Sequence, residues 1–394
     1  MMKYLIAHRI QDYENVQDEA VREAYGSILS FVGILTNLFL FVFKFLAGTL
    51  SGSVSITADA INNLSDAGSS VISWISFKLS NRPADEEHPF GHARYEYIAS
   101  LVVAFFILFL GIELIKSSFD KIVHPEAVSF SYLSAIILAV SIAAKFWMFS
   151  YNRKYGKLLN STVMAATAAD SISDCMATGA VLLSTCLSPL IHFNLDGYMG
   201  VVVALFIIVA GGKIVKETLD MLLGKSPDKD EVKAIIDFIK AYDGVLGIHD
   251  LMIHDYGPGK RFGSVHVEVD AHEDIFTSHD MIDNIEREMN QALQIQMVIH
   301  MDPIDLLDEE TNEMRSEMKM IVQKIHPDLS IHDFRMVRGT THTNLIFDCL
   351  VPHHVNMDNV EILAGINERL AYLNKTYYVV VTFDRAYTTD IKQS

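Results

Sequence analysis

The sequence contains little cysteine. Its three cysteines are Cys175, Cys186 and Cys349, and no two of them form a CxxC pair. This pattern excludes a disulfide framework and a thiolate metal site as the basis of the fold. Cys175 directly follows Asp174, so on a helix it lies about 100° away from the face that Asp174 occupies. We interpret Cys175 as a packing residue.

Basic residues are also few. The 394 residues include 31 Lys and Arg against 49 Asp and Glu, which gives a net charge of −18. An acidic balance argues against a nucleic-acid partner. Residues 1–220 have a net charge of −4 and residues 221–394 one of −14, while half of all residues are hydrophobic. The composition therefore predicts an apolar membrane half followed by an acidic, water-exposed half.

Two further absences bear on the class of protein. An HExxH motif is absent, and the carboxylates described below have no partnered nucleophile or base, so we predict that the chain is not an enzyme. The rival from that class is a membrane metalloenzyme, such as an intramembrane protease. Residues 1–25 are polar and lack the apolar core of a signal peptide. We expect this segment to be a cytoplasmic N-terminal lead-in.

Long hydrophobic runs dominate residues 26–222, where we predict a transmembrane domain of six α-helices. Each run reaches the roughly 20 residues that a helix needs to cross a bilayer. The second and fifth runs are interrupted by Ser, Thr, Gly and Asn, as is typical of helices that line a cavity. The six runs cover approximately residues 27–49, 53–79, 97–119, 128–150, 159–187 and 195–215.

The charges of the short loops predict the orientation. Lys and Arg lie in the connection after the second run, such as Arg82 and Arg94, and in the one after the fourth, such as Arg153. Cytoplasmic loops carry this excess, so both termini are predicted to be cytoplasmic. Lys145 falls near the inner end of the fourth run, and we expect its side chain to extend to the membrane interface.

Oxygen ligands recur at four-residue spacing within the second and fifth runs. Asn62 and Asp66 form one pair, and Asp170 and Asp174 form the other. Residues at i and i+4 share one face of a helix. Both pairs reach the middle of a ~30 Å apolar core, where carboxylates usually mark an ion or proton pathway. We predict a transport site for a divalent cation; the alternative is that these polar residues only join helices.

The chemistry of this quartet favours a hard ion. Oxygen ligands suit cations such as Mn²⁺, whereas imidazole and thiolate favour Zn²⁺ or Cu. Without the ion, about three negative charges would remain in an apolar site, and such groups take up protons instead. We therefore expect exchange of the cation for protons as counter-ions. Zn²⁺, Fe²⁺, Co²⁺ and Cd²⁺ stay open as alternative cargo, and no cofactor is expected.

A second candidate site lies in the loop after the second run. Asp85, His88 and His92 fall within the segment DEEHPFGH. Carboxylate and imidazole together suit a first-row metal. A polar loop whose histidines bind the backbone explains the same residues, and both interpretations stay open.

Two consecutive strings of elements follow the apolar half. Residues 226–306 and residues 312–390 each read helix, strand, strand, helix, strand, with an IHD sequence at 248–250 and again at 331–333. This order is half-way to a ferredoxin-like sandwich. We predict two α+β ferredoxin-like domains in tandem.

Histidines concentrate in the first of these repeats. The set of histidines predicts a metal site on one sheet face or at a subunit interface, although a single histidine taken alone is better explained by a surface position. In the second repeat His332 and Asp384 remain, whereas Thr382 stands where His300 would be, so we expect that copy to be structural. The candidate ligands in the first repeat are His249, His266, His279, His300 and Asp302.

The landmarks ADAINNLSDAGSS, RPADEEHPFGHARYEYIASL, AADSISD and IHD…VHVEVD…HMDP resemble the cation diffusion facilitator family over residues 27–306. The resemblance implies a six-helix, homodimeric exporter that exchanges a cytoplasmic divalent cation for protons. It also implies the three candidate sites described above. Zinc-type members usually carry His in the quartet. Asn62 and Asp170 resemble the manganese exporters instead.

From these patterns we predict a Mn²⁺/H⁺ antiporter of the plasma or inner membrane that works by alternating access. Its partners would be the lipid bilayer, divalent metal ions and a second copy of the chain. A membrane metal sensor without transport is the alternative of another class. A second cytosolic repeat is an extension beyond the family's usual single domain.

Overall fold

The computed structural model describes residues 2–16, 18–51, 54–124, 132–191, 196–373 and 377–385. These residues form two compact units. We call one the helical unit; it spans Met1–Lys225 together with Asp255–Lys260. We call the other the α/β unit; it spans Ser226–His254 and Arg261–Ser394.

The helical unit consists of one short helix and long helices of 27 to 33 residues. Among the described residues, four helices are long and apolar enough to cross a membrane. The helices are α1 (Met2–Arg9), α2 (Glu19–Ser51), α3 (Val54–Ser80), α4 (Tyr95–Val123), α5 (Tyr132–Leu158), α6 (Thr162–Ile191) and α7 (Asp196–Leu222). The four apolar helices are α2, α4, α5 and α7.

Helices α3 and α6 occupy the second and fifth predicted spans. Their polar residues lower the hydropathy that marks a lipid-facing helix, as expected of helices that line a cavity. Polar contacts join them, since Ser73 Oγ lies 3.0 Å from Thr167 Oγ1. Hydroxyl pairs of this kind hold membrane helices together. That α3 and α6 also cross the membrane stays a prediction.

Small residues allow α4 and α7 to approach closely. A Cβ on Gly111 would lie 2.7 Å from the side chain of Ile208, and one on Gly211 would lie 3.1 Å from that of Leu108. Small residues at such contacts are typical of helix pairs packed within a membrane.

The α/β unit contains two sets of five elements in the same order. The first set is α8 (Lys229–Lys240), β1 (Gly247–Asp255), β2 (Arg261–Asp270), α9 (Ile275–Leu293) and β3 (Ile295–Ile304). The second set is α10 (Glu309–Ile325), β4 (Ser330–Arg338), β5 (Thr343–Leu350), α11 (Asn359–Leu370) and β6 (Tyr377–Asp384).

The two sheets of this unit have matching strand order. One sheet runs β1-β2-β3 and the other β4-β5-β6, and the last two strands of each are parallel. A parallel pair needs a crossover, and α9 and α11 supply it. The element order agrees with the helix-strand-strand-helix-strand pattern predicted from the sequence.

Alternation along the strands separates a core face from a polar face. Val265, Val267 and Val269 of β2 are buried in the first hydrophobic core, and Leu345 and Phe347 of β5 are buried in the second. Because successive side chains of a strand point to opposite faces, the intervening residues are turned away from the core. His266 and Asp348 are two of these intervening residues.

Candidate metal centres

Three carboxylates converge inside the helical unit, and we call them the membrane cluster. Asp66 comes from α3, and Asp170 and Asp174 come from α6; one oxygen of each lies within 4.8 Å of the others. Asp66 and Asp170 are buried, and Asp174 is partly buried. The four-residue helical spacing brings Asp170 and Asp174 to one face, as the sequence indicated. Carboxylates at this separation repel one another unless cations lie among them.

The two asparagines of α3 differ in position. Asn62 is exposed and lines the same cavity of about 290 Å³ as Asp66, Asp170 and Asp174. Asn63 is buried, and its Nδ2 donates a hydrogen bond to Asp66 Oδ2 at 3.3 Å. Asn62 therefore has access to the cavity, whereas Asn63 orients a carboxylate from behind.

Lys145 lies within the membrane cluster. Its Nζ is 2.6 Å from Asp66 Oδ2 and 2.6 Å from Asp174 Oδ2, and the residue is 2% exposed. The sequence-based prediction that Lys145 extends to the membrane interface was wrong. The reason is the length of α5, which continues to Leu158 and places Lys145 thirteen residues from either end of the helix. An ammonium group at the helix midpoint neutralises carboxylates instead.

The loop residues also come together, and we call them the loop cluster. Asp85 Oδ1 lies 3.4 Å from His88 Nδ1, and Asp85 Oδ2 lies 3.4 Å from His92 Nε2. The backbone N–H of His88 donates to Asp85, and this hydrogen bond holds the pKa of Asp85 below its usual value. His92 Nδ1 lies 3.1 Å from the carbonyl oxygen of Pro83. That contact makes Nδ1 the protonated nitrogen of the neutral ring and leaves on Nε2, which faces Asp85, a lone pair that can bind a metal.

Residues of both sets of elements form a third group, the first α/β cluster. It consists of His249, His266, Asp302 and Asp333, whose ligand atoms lie within 4.8 Å of one another. His249 Nε2 is 3.2 Å from Asp302 and 3.5 Å from Asp333, and His266 Nδ1 is 2.8 Å from Asp302. Asp333 was not among the ligands predicted from the sequence. The repeated IHD sequence was the signal, because it makes Asp333 the counterpart of Asp250.

Two predicted ligands of the first repeat lie outside this cluster. The exposed His300 extends beside it, with Nε2 3.3 Å from Asp302 Oδ1 and its ring 4.7 Å from that of His266. His279 is exposed on α9 and, with His300, lines a separate cavity of about 380 Å³. The structure therefore groups His249, His266 and Asp302, but it does not bring His279 to them.

Comparison with known proteins decides the family. The sequence model of the cation efflux transmembrane domain matches residues 30–223, and that of the cation efflux protein cytoplasmic domain matches residues 227–304. An uncharacterized transporter of Methanocaldococcus jannaschii is 30% identical over 279 residues, which are 71% of this chain and 97% of that protein. The chain belongs to the cation efflux family, the cation diffusion facilitators.

Bacterial members of the family are similar over the same length. The cation-efflux pump FieF of Escherichia fergusonii is 26% identical over 294 residues, 74% of this chain and 98% of the relative. That of Serratia proteamaculans is 28% identical over 271 residues, 68% of this chain and 90% of the relative. The matches to the two domain models end at residue 304, so α10, β4, β5, α11 and β6 lie beyond them.

The part of this cation efflux protein beyond residue 304 contains a further group of ligand types. His332, Asp348 and Asp384 have ligand atoms within 4.8 Å of one another. Burial, followed by the negative charges of Asp348 and Asp250, raises the pKa of Asp384. The expectation that this repeat had kept only His332 and Asp384 was incomplete, because Asp348 was missed. Asp348 stands at the position where the first repeat has His266, and this difference in residue type hid the correspondence.

Asp250 of the first repeat lies between the two groups. Its Oδ2 is 3.3 Å from His249 Nδ1 and 3.4 Å from His332 Nε2. Burial acts to raise the pKa of Asp250, but these two imidazoles outweigh it and hold that pKa well below its usual value. Burial likewise opposes protonation of His332, yet the carboxylate of Asp250 raises the pKa of His332.

Proposed function

We propose that this chain exports a divalent cation in exchange for protons by alternating access, and that the membrane cluster together with Asn62 binds the ion. The observation that carries the proposal is the convergence of three carboxylates from α3 and α6 beside a cavity. Ionisable residues buried among membrane helices mark ion or proton pathways. Two relatives are named cation-efflux pumps, which agrees with export.

Mn²⁺ is the cargo that the ligand chemistry favours. The four side chains offer oxygen atoms, and oxygen ligands suit Mn²⁺ better than they suit Zn²⁺. Asn62 supplies a neutral oxygen at the cavity wall and is the selectivity ligand in this proposal. Fe²⁺, Zn²⁺, Co²⁺ and Cd²⁺ are the competing ions, and the comparison of their transport rates with that of Mn²⁺ separates them.

Lys145 sets the charge that the cargo has to balance. Three carboxylates and one ammonium group have a net charge of two negative units when all are ionised. One Mn²⁺ neutralises this charge, and so do about two protons. Exchange of one Mn²⁺ for about two protons therefore keeps the buried site near neutrality in both states. The nitrogen of Lys145 competes with the metal for Asp66 and Asp174, so metal entry requires it to move aside.

The wider architecture completes the proposal. Helices α2 to α7 would form six spans of the inner or plasma membrane, with both termini in the cytoplasm. The two sets of elements in the α/β unit would be tandem ferredoxin-like domains. The match to the family's cytoplasmic dimerisation domain over residues 227–304 supports a homodimer.

The test is metal uptake into inverted membrane vesicles that contain the chain. We expect Mn²⁺ to accumulate faster than Zn²⁺, and an outwardly directed proton gradient across the vesicle to drive the uptake. Asp66→Ala should abolish accumulation. Asp120→Asn is the matched control, because Asp120 is a carboxylate of α4 with a 76% exposed side chain outside the cluster. Transport that ignores an imposed pH gradient would contradict the antiport proposal.

A further inference from the structure

The two repeats of the α/β unit place chemically similar residues at matching positions. In the strand registers, His266 pairs with His300 and Asp348 pairs with Thr382, so Asp348 is the counterpart of His266. The same registers make Asp384 of β6 the counterpart of Asp302 of β3. His266 and Asp302 therefore both have ligand-capable counterparts in the second repeat, and the shared IHD sequence makes His332 the counterpart of His249.

The backbone takes an unusual conformation at the same point in both repeats. Asp250 and Asp333 each have a φ of 52°, in the left-handed region that non-glycine residues rarely occupy. At Asp333 this coincides with a register shift in β4 between His332 and Arg335. Such strain persists where the surrounding structure stabilises it, and it clusters at functional sites.

Each of these aspartates contacts a histidine of the other repeat. Asp333 Oδ1 lies 3.5 Å from His249 Nε2, and Asp250 Oδ2 lies 3.4 Å from His332 Nε2. The rings of His249 and His332 are 4.6 Å apart. Each repeat therefore contributes an aspartate that faces a histidine of the other repeat.

The imidazole nitrogens at the centre of this exchange are deeply buried. The side chains of His249 and His332 are 5% and 8% exposed, and Nε2 of each makes no hydrogen bond with any described residue although it lies near carboxylates. The carboxylate oxygens around these nitrogens lie 3.2 to 3.8 Å away from them. Hydrogen bonds are mostly shorter, whereas two ligands about 2.1 Å from one tetrahedral ion lie about 3.4 Å apart.

We propose that the second repeat holds a divalent metal ion of its own, bound by His332, Asp348 and Asp384 and completed by Asp250 of the first repeat. Asp333 completes the first α/β cluster in the reciprocal manner. Metal binding then stabilises the contact between the two repeats, because each site takes ligands from both. This inference is independent of what the membrane cluster transports.

The two sites differ in the ion that they suit. The first offers two imidazoles and two carboxylates, and the second offers one imidazole and three carboxylates. More oxygen ligands favour a harder ion. We therefore expect the ratio of Mn²⁺ affinity to Zn²⁺ affinity to be higher at the second site than at the first.

The test uses equilibrium dialysis to measure how many Mn²⁺ ions each purified full-length chain binds. Asp384→Asn, in the second repeat, and Asp250→Asn, in the first, should each lower the count by one ion per chain. The double variant Asp250→Asn/Asp384→Asn should also lose one ion and no more, because both residues serve one site. Asp328→Asn is the matched control, since Asp328 forms an exposed pair with His354 elsewhere in the same repeat.

Two outcomes overturn the proposal. One is an unchanged count in both single variants, and the other is an additive loss of two ions in the double variant. If Asp250→Asn fails to fold, Asp348→His decides the question, because it gives the second site the ligand set of the first. We expect that change to shift the ratio of Zn²⁺ to Mn²⁺ affinity at least about tenfold toward Zn²⁺. An unchanged ratio contradicts the assignment.

Discussion

Lys145 Nζ lies 2.6 Å from Asp66 Oδ2, and the lysine side chain is 3% exposed in the middle of α5. The same nitrogen contacts Asp174 at 2.6 Å. An ammonium group is thus built into the cluster that we propose to bind the transported ion. It lowers the repulsion among three buried carboxylates and competes with a metal for two of them.

Without Lys145, the membrane cluster should bind the metal more tightly, and the metal-free protein should be less stable. Loss of one partner from a buried ion pair costs about 3–5 kcal/mol. We expect Lys145→Met to lower the midpoint of thermal unfolding without metal and to recover it when Mn²⁺ is added. Lys116→Met, at a side chain that is 72% exposed, should change neither value. A variant whose midpoint does not respond to Mn²⁺ would contradict this role.

The ion preference should change when oxygen ligands become nitrogen ligands. Asn62→His and Asp170→His each add an imidazole at the cavity, and imidazole favours Zn²⁺ over Mn²⁺. We expect the ratio of initial Zn²⁺ to Mn²⁺ uptake rates to rise about tenfold in either variant. Competition assays in vesicles measure it. A ratio equal to that of the unaltered chain would count against the assignment of these two ligands.

A buried ion pair between α2 and α4 should stabilise the helical unit. Arg22 Nη2 lies 2.7 Å from Glu96 Oε2, and the Glu96 side chain is fully buried. Glu96→Gln should destabilise the unit by about 3–5 kcal/mol, because it leaves the guanidinium without its counter-charge. The exposed pair Lys213 and Glu217 provides the control, and Glu217→Gln should change the stability by less than about 1 kcal/mol. Chemical unfolding in detergent measures both, and equal effects would refute the prediction.

The stability of α10 should depend on pH through Asp308. Hydrogen bonds from Thr311 and Arg338 lower the pKa of Asp308 to about 2 from its ordinary 3.8. Because the folded-state pKa is the lower one, the stabilisation is present above pH 3.8 and is lost as the pH falls toward 2. We expect Asp308→Ala to speed hydrogen exchange in the first turn of α10 about fivefold at neutral pH.

This difference from the unaltered chain should shrink as the pH falls through 3.8 and should vanish only below pH 2. Glu313→Ala is the control, since Glu313 is exposed on the same helix and does not cap it. A difference in exchange rate that is undiminished below pH 2 would show that the carboxylate charge does not stabilise the helix.

Local periodicity was sufficient to predict part of the membrane cluster. The i, i+4 spacing fixes that Asp170 and Asp174 share a face of α6, and their convergence with Asp66 follows once two polar helices must face each other. The position of Lys145 was not predictable in this way. It depends on how far α5 continues beyond the apolar run, and residues 151–158 are polar enough to read as a loop.

The contacts of Asp250 and Asp333 with histidines of the opposite repeat could not be predicted from the sequence pattern, for a different reason. The spacing of a strand places successive side chains on opposite faces, but Asp250 and Asp333 leave that geometry through a left-handed backbone. Nothing in the letters IHD specifies this conformation. His279 shows the converse, because its ligand chemistry suggested a role that its exposed position on α9 separates from the first α/β cluster.

The most direct test of the central claim is the simultaneous measurement of Mn²⁺ and proton fluxes by the purified chain in proteoliposomes. The charge of the membrane cluster with Lys145 predicts about two protons moved against each Mn²⁺, with both fluxes lost together in Asp66→Asn. Mn²⁺ flux without any proton movement, or undiminished flux in Asp66→Asn, would contradict the account.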